Sequence, residues 1–267
     1  MVNVGKECPQ IDLPKRRFIL LGASNVVRAL PTVVQTAWQS LGGPLEFVAA
    51  IGHGRSYGLD TRVLGRWLPS IHGCGIWDQL SSRRKIDSVA TITDVGNDIV
   101  YGVDPTLLVE WVERCVVRLE PICKKIVLTE LPLASLRKLG PKRFVLLRSL
   151  LFPRSRLDLN DALRKAEKVN QQMSVIAERH GLQLVQPAES WFGFDPIHIK
   201  RRYFEQAWRC YIPSKGDIPV NFTTFFRFRQ LATIRFCTPQ KRRLWGWKQQ
   251  RQQPCLNWSD GSTLSFF

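Results

Sequence analysis

The sequence predicts an α/β fold, a parallel sheet covered by helices on both faces. Three observations point there. Short apolar runs alternate with amphipathic stretches of helical spacing through residues 17–211. The 267 residues are 44% hydrophobic and 23% charged, globular values in a chain long enough to bury a core without disulfides or metals. The distinctive polar clusters fall just after the apolar runs, where parallel sheets place their chemistry. The same composition excludes a wholly disordered chain, and no apolar stretch approaches the roughly 20 residues of a membrane span.

Each element has its own signal. Residues 17–22 form a short apolar run ending in Gly, a first strand. Lys15-Arg16-Arg17 ahead of Phe18-Ile19-Leu20-Leu21 has the charge order of a secretory leader. The apolar run is only about half the usual leader length, so the strand reading and a cytoplasmic location are expected. Asn25 is placed to cap a helix whose stripe includes Val26, Leu30, Val33, Val34, Ala37 and Leu41. Pro31 predicts a kink or a helix start there. Gly42-Gly43-Pro44 ends the helix, and residues 45–51 read as the second strand. Residues 52–85 read as loop with short helices at best, and 86–93 as the third strand. Asp104 and Pro105 open a helix as N-cap and first residue. Residues 125–131 read as the fourth strand, while 132–157 show no clear period. A polar amphipathic helix over 158–179 stops at Gly181. A fifth strand at 182–185 and a last helix over 199–211 follow.

Charge divides the chain. Residues 1–199 carry 26 Lys+Arg and 19 Asp+Glu, whereas residues 200–267 carry 13 and 3. The last quarter also holds Trp208, Trp245, Trp247 and Trp258. A boundary is therefore expected near 213, giving a domain over 15–212 and a basic, Trp/Phe-rich C-terminal extension over 213–267. Within it, residues 226–236 have some β character. Through residues 200–251, including Arg201, Arg202, Lys241, Arg242, Arg243, Lys248 and Arg251, the extension could bind an anionic polymer or a membrane surface. It could also close over a site, or be solvated. The seven Cys are odd in number and irregularly spaced, with no C-x-x-C and no zinc spacing. Neither a P-loop nor G-x-G-x-x-G is present, so neither a P-loop nor a Rossmann dinucleotide site is expected.

The polar clusters are Gly22-Ala23-Ser24-Asn25, then Gly52-His53-Gly54-Arg55-Ser56-Tyr57-Gly58, then Gly96-Asn97-Asp98, and last Asp195-Pro196-Ile197-His198. Singly each reads as a cap, a turn or an Asx turn. In combination, Ser, Gly, Asn and Asp-x-x-His in that order resemble the SGNH (GDSL-type) hydrolases over residues 17–210. The sequence differs from that family's usual pattern at Ala23 (Asp), Asn25 (Leu) and Val95 (Gly).

The resemblance implies a flavodoxin-like three-layer α/β/α sandwich and a serine hydrolase acting on acyl or acetyl esters. It implies Ser24 as nucleophile, His198 as base and Asp195 as orienter, with no metal or organic cofactor. The backbone N–H groups of Ser24 and Gly54, with the Asn97 amide, would form the oxyanion hole. Gly58 is the alternative glycine. His53 and Tyr57, beside the glycine, could touch substrate or merely line the loop, Asp98 would support the Asn97 loop, and His72 and His180 would be structural. The other reading is a catalytically degenerate relative that binds nucleic acid or anionic lipid through its basic C-terminal region. Oligomeric state is left open.

Overall fold

The computed structural model describes residues 13–63, 65–152, 155–213 and 228–267. Its centre is a sheet built from β1 (Arg16–Leu21), β2 (Leu45–Ala50), β5 (Asp87–Ile92), β6 (Cys123–Thr129) and β7 (Gln183–Val185), all parallel. They are ordered β2-β1-β5-β6-β7. Chain order therefore reverses at β1, and the clefts beside a reversal are where α/β sheets hold ligands. Between β2 and β5 lie β3 (Thr61–Val63), β4 (Arg66–Leu68) and α2 (Ile76–Ser82). β3 and β4 pair as an antiparallel hairpin where sequence reading expects loop. Strands of three residues are too short to show a period.

Alternation along β1 divides the core. Phe18 and Leu20 face α1 (Ser24–Leu41) and α8 (Phe204–Tyr211). Ile19 and Leu21 face the opposite layer of α2, α4 (Pro105–Leu119) and α7 (Leu159–Arg179). The result is the three-layer sandwich, with helices on both faces. α4 starts as the sequence dictates: the Asp104 side chain accepts from Thr106 N at 2.8 Å and Pro105 occupies the first turn. Pro31 lies in the interior of α1, which runs unbroken to its end at Gly42.

Arg17, the last of the basic triplet, is a core residue. It stands opposite Glu46 in the β1–β2 register, and its Nε donates to Glu46 Oε2 at 2.8 Å. Arg83 pairs with the other oxygen of the same carboxylate. Two cations on one buried carboxylate tie the bottom of β1 to β2 and to the segment after α2.

Sequence reading leaves 132–157 open; the structure places there α5 (Leu133–Arg137) and α6 (Pro141–Leu151). α6 has no single apolar stripe. Phe144 turns inward against Leu139 and Ala162, while Val145, Leu146 and Leu150 are exposed. That all-round distribution hides the helix from a periodicity argument. α3 (Asn97–Val100) is a single turn.

The described residues beyond 213 join both sheets. α9 (Phe228–Thr233) is followed by a 3-10 turn over Ile234–Phe236, which corrects the β character expected over 226–236 for its described part. Leu231 and Ile234, three apart, both turn to the α1–α8 layer, a helical spacing. β8 (Lys241–Leu244) and β9 (Trp247–Gln250) extend the β3–β4 hairpin into a four-stranded antiparallel sheet. β11 (Thr263–Phe266) runs parallel to β2 at the edge of the central sheet, and β10 (Leu256–Asn257) pairs antiparallel with β11. None of the six described cysteines is in a disulfide. No described helix is long and apolar enough to cross a membrane.

Candidate active site

The carboxyl ends of β1, β2 and β5 converge with the 195–198 loop. Ser24 is the first residue of α1, immediately beyond β1. Gly22 makes the turn possible, because a Cβ there would lie 2.7 Å from Val26 Cγ2 and 2.9 Å from Thr93 Cγ2. Ser24 Oγ lies 2.8 Å from His198 Nε2, and His198 Nδ1 lies 2.5 Å from Asp195 Oδ2. The other carboxylate oxygen, Oδ1, accepts from the backbone N–H of Ile197 (3.1 Å) and of His198 (3.3 Å). One turn of chain therefore fixes carboxylate and imidazole together. Burial raises the Asp195 pKa, but the His198 ring hydrogen bond, the imidazole charge and the two N–H donors outweigh it. The carboxyl is held below its usual range. Such a line of hydroxyl, imidazole and carboxylate can move a proton off the hydroxyl.

Asn97 opens α3. Its Nδ2 donates one hydrogen to Arg55 O at 3.1 Å, which leaves the second amide hydrogen to the cavity that Ser24 and Asn97 both line. Gly54 has φ +63, and a Cβ there would lie 2.5 Å from Val63 Cγ2 and 2.8 Å from the Tyr101 hydroxyl. Both conformation and space demand glycine. The Tyr101 hydroxyl donates to Gly54 O at 2.6 Å, fixing that peptide. Among the described residues, neither the Ser24 nor the Gly54 N–H has an acceptor. Gly58 instead packs against the Trp111 ring.

The supporting residues are more numerous than the sequence suggests. Asn25 does not cap α1; it lies inside the helix. The cap comes from another strand end: the Asp94 carboxylate accepts from Ala23 N (3.0 Å) and Asn25 N (2.9 Å). A carboxylate at a helix N-terminus meets free N–H groups and the positive end of the dipole. The Asn25 amide then donates to Asp94 Oδ1 (2.8 Å) and Ile197 O (2.9 Å), and its oxygen accepts from Ile199 N (2.9 Å). One side chain thus joins the serine turn, the end of β5 and the histidine loop. Asp94 holds φ +59, a conformation Asp tolerates better than most residues.

Asp98 is fully buried. It accepts from the Ser56 hydroxyl and, at 3.1 Å, from Tyr57 N, so it anchors the Gly54 loop as well as its own. Tyr57 is also fully buried, its hydroxyl donating to Thr93 O at 2.7 Å, away from substrate space. His53 is exposed at the rim. Partial desolvation, then the positive charges of Arg66, His198 and Arg28, hold its pKa low. His72 bonds Trp111 O at 2.7 Å, and His180 bridges Glu113 and Glu120 on the far layer.

Burial raises the Asp98 pKa to about 6, against an ordinary 3.8. Its folded form therefore holds a proton that the unfolded chain releases. That stabilisation is complete below about pH 4 and is lost as pH rises to about 6, a change on the order of 3 kcal/mol. Urea unfolding of wild type and Asp98→Asn across that window is expected to show it, with wild type losing stability relative to the variant as pH rises.

No family model matches the chain, and no curated protein is similar to it in sequence. Solved structures are similar to it. A protein from Agrobacterium tumefaciens given the provisional name arylesterase shares 16% identity at a TM-score of 0.50, covering 73% of this chain and 95% of its own. A carbohydrate acetylesterase from Sinorhizobium meliloti shares 12% at 0.49, covering 72% and 95%. A lipolytic G-D-S-L family protein from Veillonella parvula shares 12% at 0.47, covering 73% and 94%. The fold of this chain, a parallel sheet between two layers of helices, is similar to that of the Agrobacterium tumefaciens structure.

Proposed function

We propose that this protein is a serine hydrolase that cleaves carboxylic esters through an acyl-enzyme. The observation that carries the reading is the hydrogen-bonded line Ser24–His198–Asp195 at the wall of an apolar cavity. His198 Nε2 takes the hydroxyl proton as Ser24 Oγ bonds to the ester carbonyl carbon, whose π pair moves to oxygen. The Ser24 and Gly54 N–H groups and the Asn97 amide stabilise that oxyanion without a fixed charge. The intermediate collapses, the C–O bond to the alcohol breaks, and the leaving oxygen takes the proton from His198. A water then repeats the sequence. It gives its proton to His198, the acyl–Ser24 bond breaks, Oγ recovers the proton, and the acid leaves. Asp195 holds the ring and offsets its charge in both halves.

The cavity selects the acyl side. Its volume is about 130 Å³, running from Ser24 beneath α6 between Leu131, Leu136, Leu139, Phe144 and Phe192. At about 30 Å³ per water molecule that is room for about four waters, more than the methyl of an acetyl group fills. Esters of aliphatic acids several carbons long fit it better.

The test is a fluorophosphonate probe on wild type and Ser24→Ala, followed by p-nitrophenyl esters of rising acyl length. Labelling of wild type alone, with the rate rising from acetate to longer chains, is expected. Folded wild type that does not label would overturn the reading in favour of a binding protein.

A further inference from the structure

We propose that the four-stranded β3–β4–β8–β9 sheet is a docking surface for anionic phospholipid. The register places Arg62, Trp67, Arg243 and Lys248 opposite one another in a row across the four strands, one residue from each. Directly paired residues share a face, so three cations and one indole stand side by side. Lys241, two residues before Arg243, lies on the same face. The four strands contain no Asp or Glu. Among the described residues, none of these cations has an ion-pair partner. Arg243 opposite Lys248 is a like-charge pair that repels unless something negative lies over it. The molecule as a whole carries +17. The missing partner is an anionic surface.

The hairpin tip decides between a bilayer and a nucleic acid. Trp245 and Trp247, on either side of Gly246, are 77% and 78% exposed. Trp245 has φ +50 and Gly246 φ +91 in the two-residue turn between β8 and β9. That turn favours Asn or Asp at its first position; here it carries an indole. The Trp245 ring packs over Gly65, and the Trp245 backbone N–H donates to Gly65 O at 2.9 Å, so the tip is held out rather than loose. Two indoles at the end of a cationic strand pair suit the headgroup region, where amphipathic rings and basic side chains both settle. A nucleic acid needs aromatic faces open between its phosphate contacts. The interleaved ring, Trp67, is covered instead by the Arg243 guanidinium at 4.9 Å.

The sheet also adjoins the candidate site. Val63 of β3 lies against Gly54. Docking through this sheet would bring the Gly54 loop toward the layer where long-chain esters reside. The inference concerns binding and is read without hydrolysis, so it stands or falls apart from the proposed activity.

Cosedimentation of the full chain with vesicles of phosphatidylcholine, alone or mixed with phosphatidylglycerol, tests it. Binding is expected only to the mixed vesicles and is expected to weaken with salt. Arg62→Ala with Lys248→Ala should cost about five-fold per cation. Trp245→Ala with Trp247→Ala should cost about ten-fold and abolish quenching of tryptophan fluorescence by brominated lipid. Unchanged melting curves establish that each variant is folded. Truncation is unsuitable because β11 belongs to the central sheet. Absence of binding to mixed vesicles, undiminished binding by both double variants, or binding to poly(U) in place of vesicles would each overturn the proposal.

Discussion

His198→Ala is expected to lower kcat/KM for an acyl ester by roughly 10⁴-fold or more, with little change in KM. The imidazole contacts Ser24 through Nε2 and Asp195 through Nδ1, so its loss removes the proton acceptor and strands the carboxylate. The nearest cation to Asp195, Arg28 at 3.9 Å, is on a pair about a third exposed and replaces little. The cavity walls and the three donors proposed to hold the oxyanion remain, so binding and a residual rate above water should persist. Steady-state kinetics on the variant decide this. A loss below about ten-fold would mean that the proton leaves Ser24 by another route.

Asp94→Ala is expected to lower kcat/KM by about 10²-fold and stability by about 2 kcal/mol or more. Three donors, two from the serine turn and one from Asn25, lose their acceptor together, and a residue at φ +59 loses the hydrogen bonds that favour it there. The serine hydroxyl and its partner remain chemically intact, so the loss reports positioning. Asp94→Asn, which keeps one acceptor oxygen, should recover part of it. Fluorophosphonate labelling rates and thermal melting of both variants measure the two effects separately. Equal losses in the two variants would mean that the negative charge, rather than the geometry, is what the serine turn requires.

The five parallel strands, α1, α4 and α7 were legible because each has a clean signal: a short apolar run, a wide stripe, or a cap such as Asp104-Pro105. α6 was not, since its apolar residues point both into the cavity and outward. β3, β4, β8 and β9 were not, because three or four residues show no period and their pairing spans the chain. The four blocks of the candidate site were legible from their order at strand ends. Its support was less so. Asn25 read as a local cap because Asn prefers that place, and only tertiary structure reveals that Asp94 supplies the cap. The available signal was Asp94's place directly after an apolar strand, where a parallel sheet puts its functional side chains.

Arg55, fully buried behind the Gly54 loop, donates to Ile51 O and Pro69 O and also to Phe267 O, a contact across 212 residues of sequence. The consequence is one of timing. On a ribosome, the serine, the glycine loop and the histidine all emerge before residue 267 does. Nη2 is buried without an acceptor among the described residues, so the Phe267 carbonyl is one of only three acceptors on a fully buried charge, and until it arrives the guanidinium is shorter still of partners. The loop that would cradle an oxyanion therefore reaches its final form only after β11 has been made and has docked beside β2. Contacts this distant in sequence form late and slowly. A nascent chain would therefore hold Ser24, Asn97 and His198 before the Gly54 loop beside them has its last support, which delays completion of the candidate site until β11 has been made.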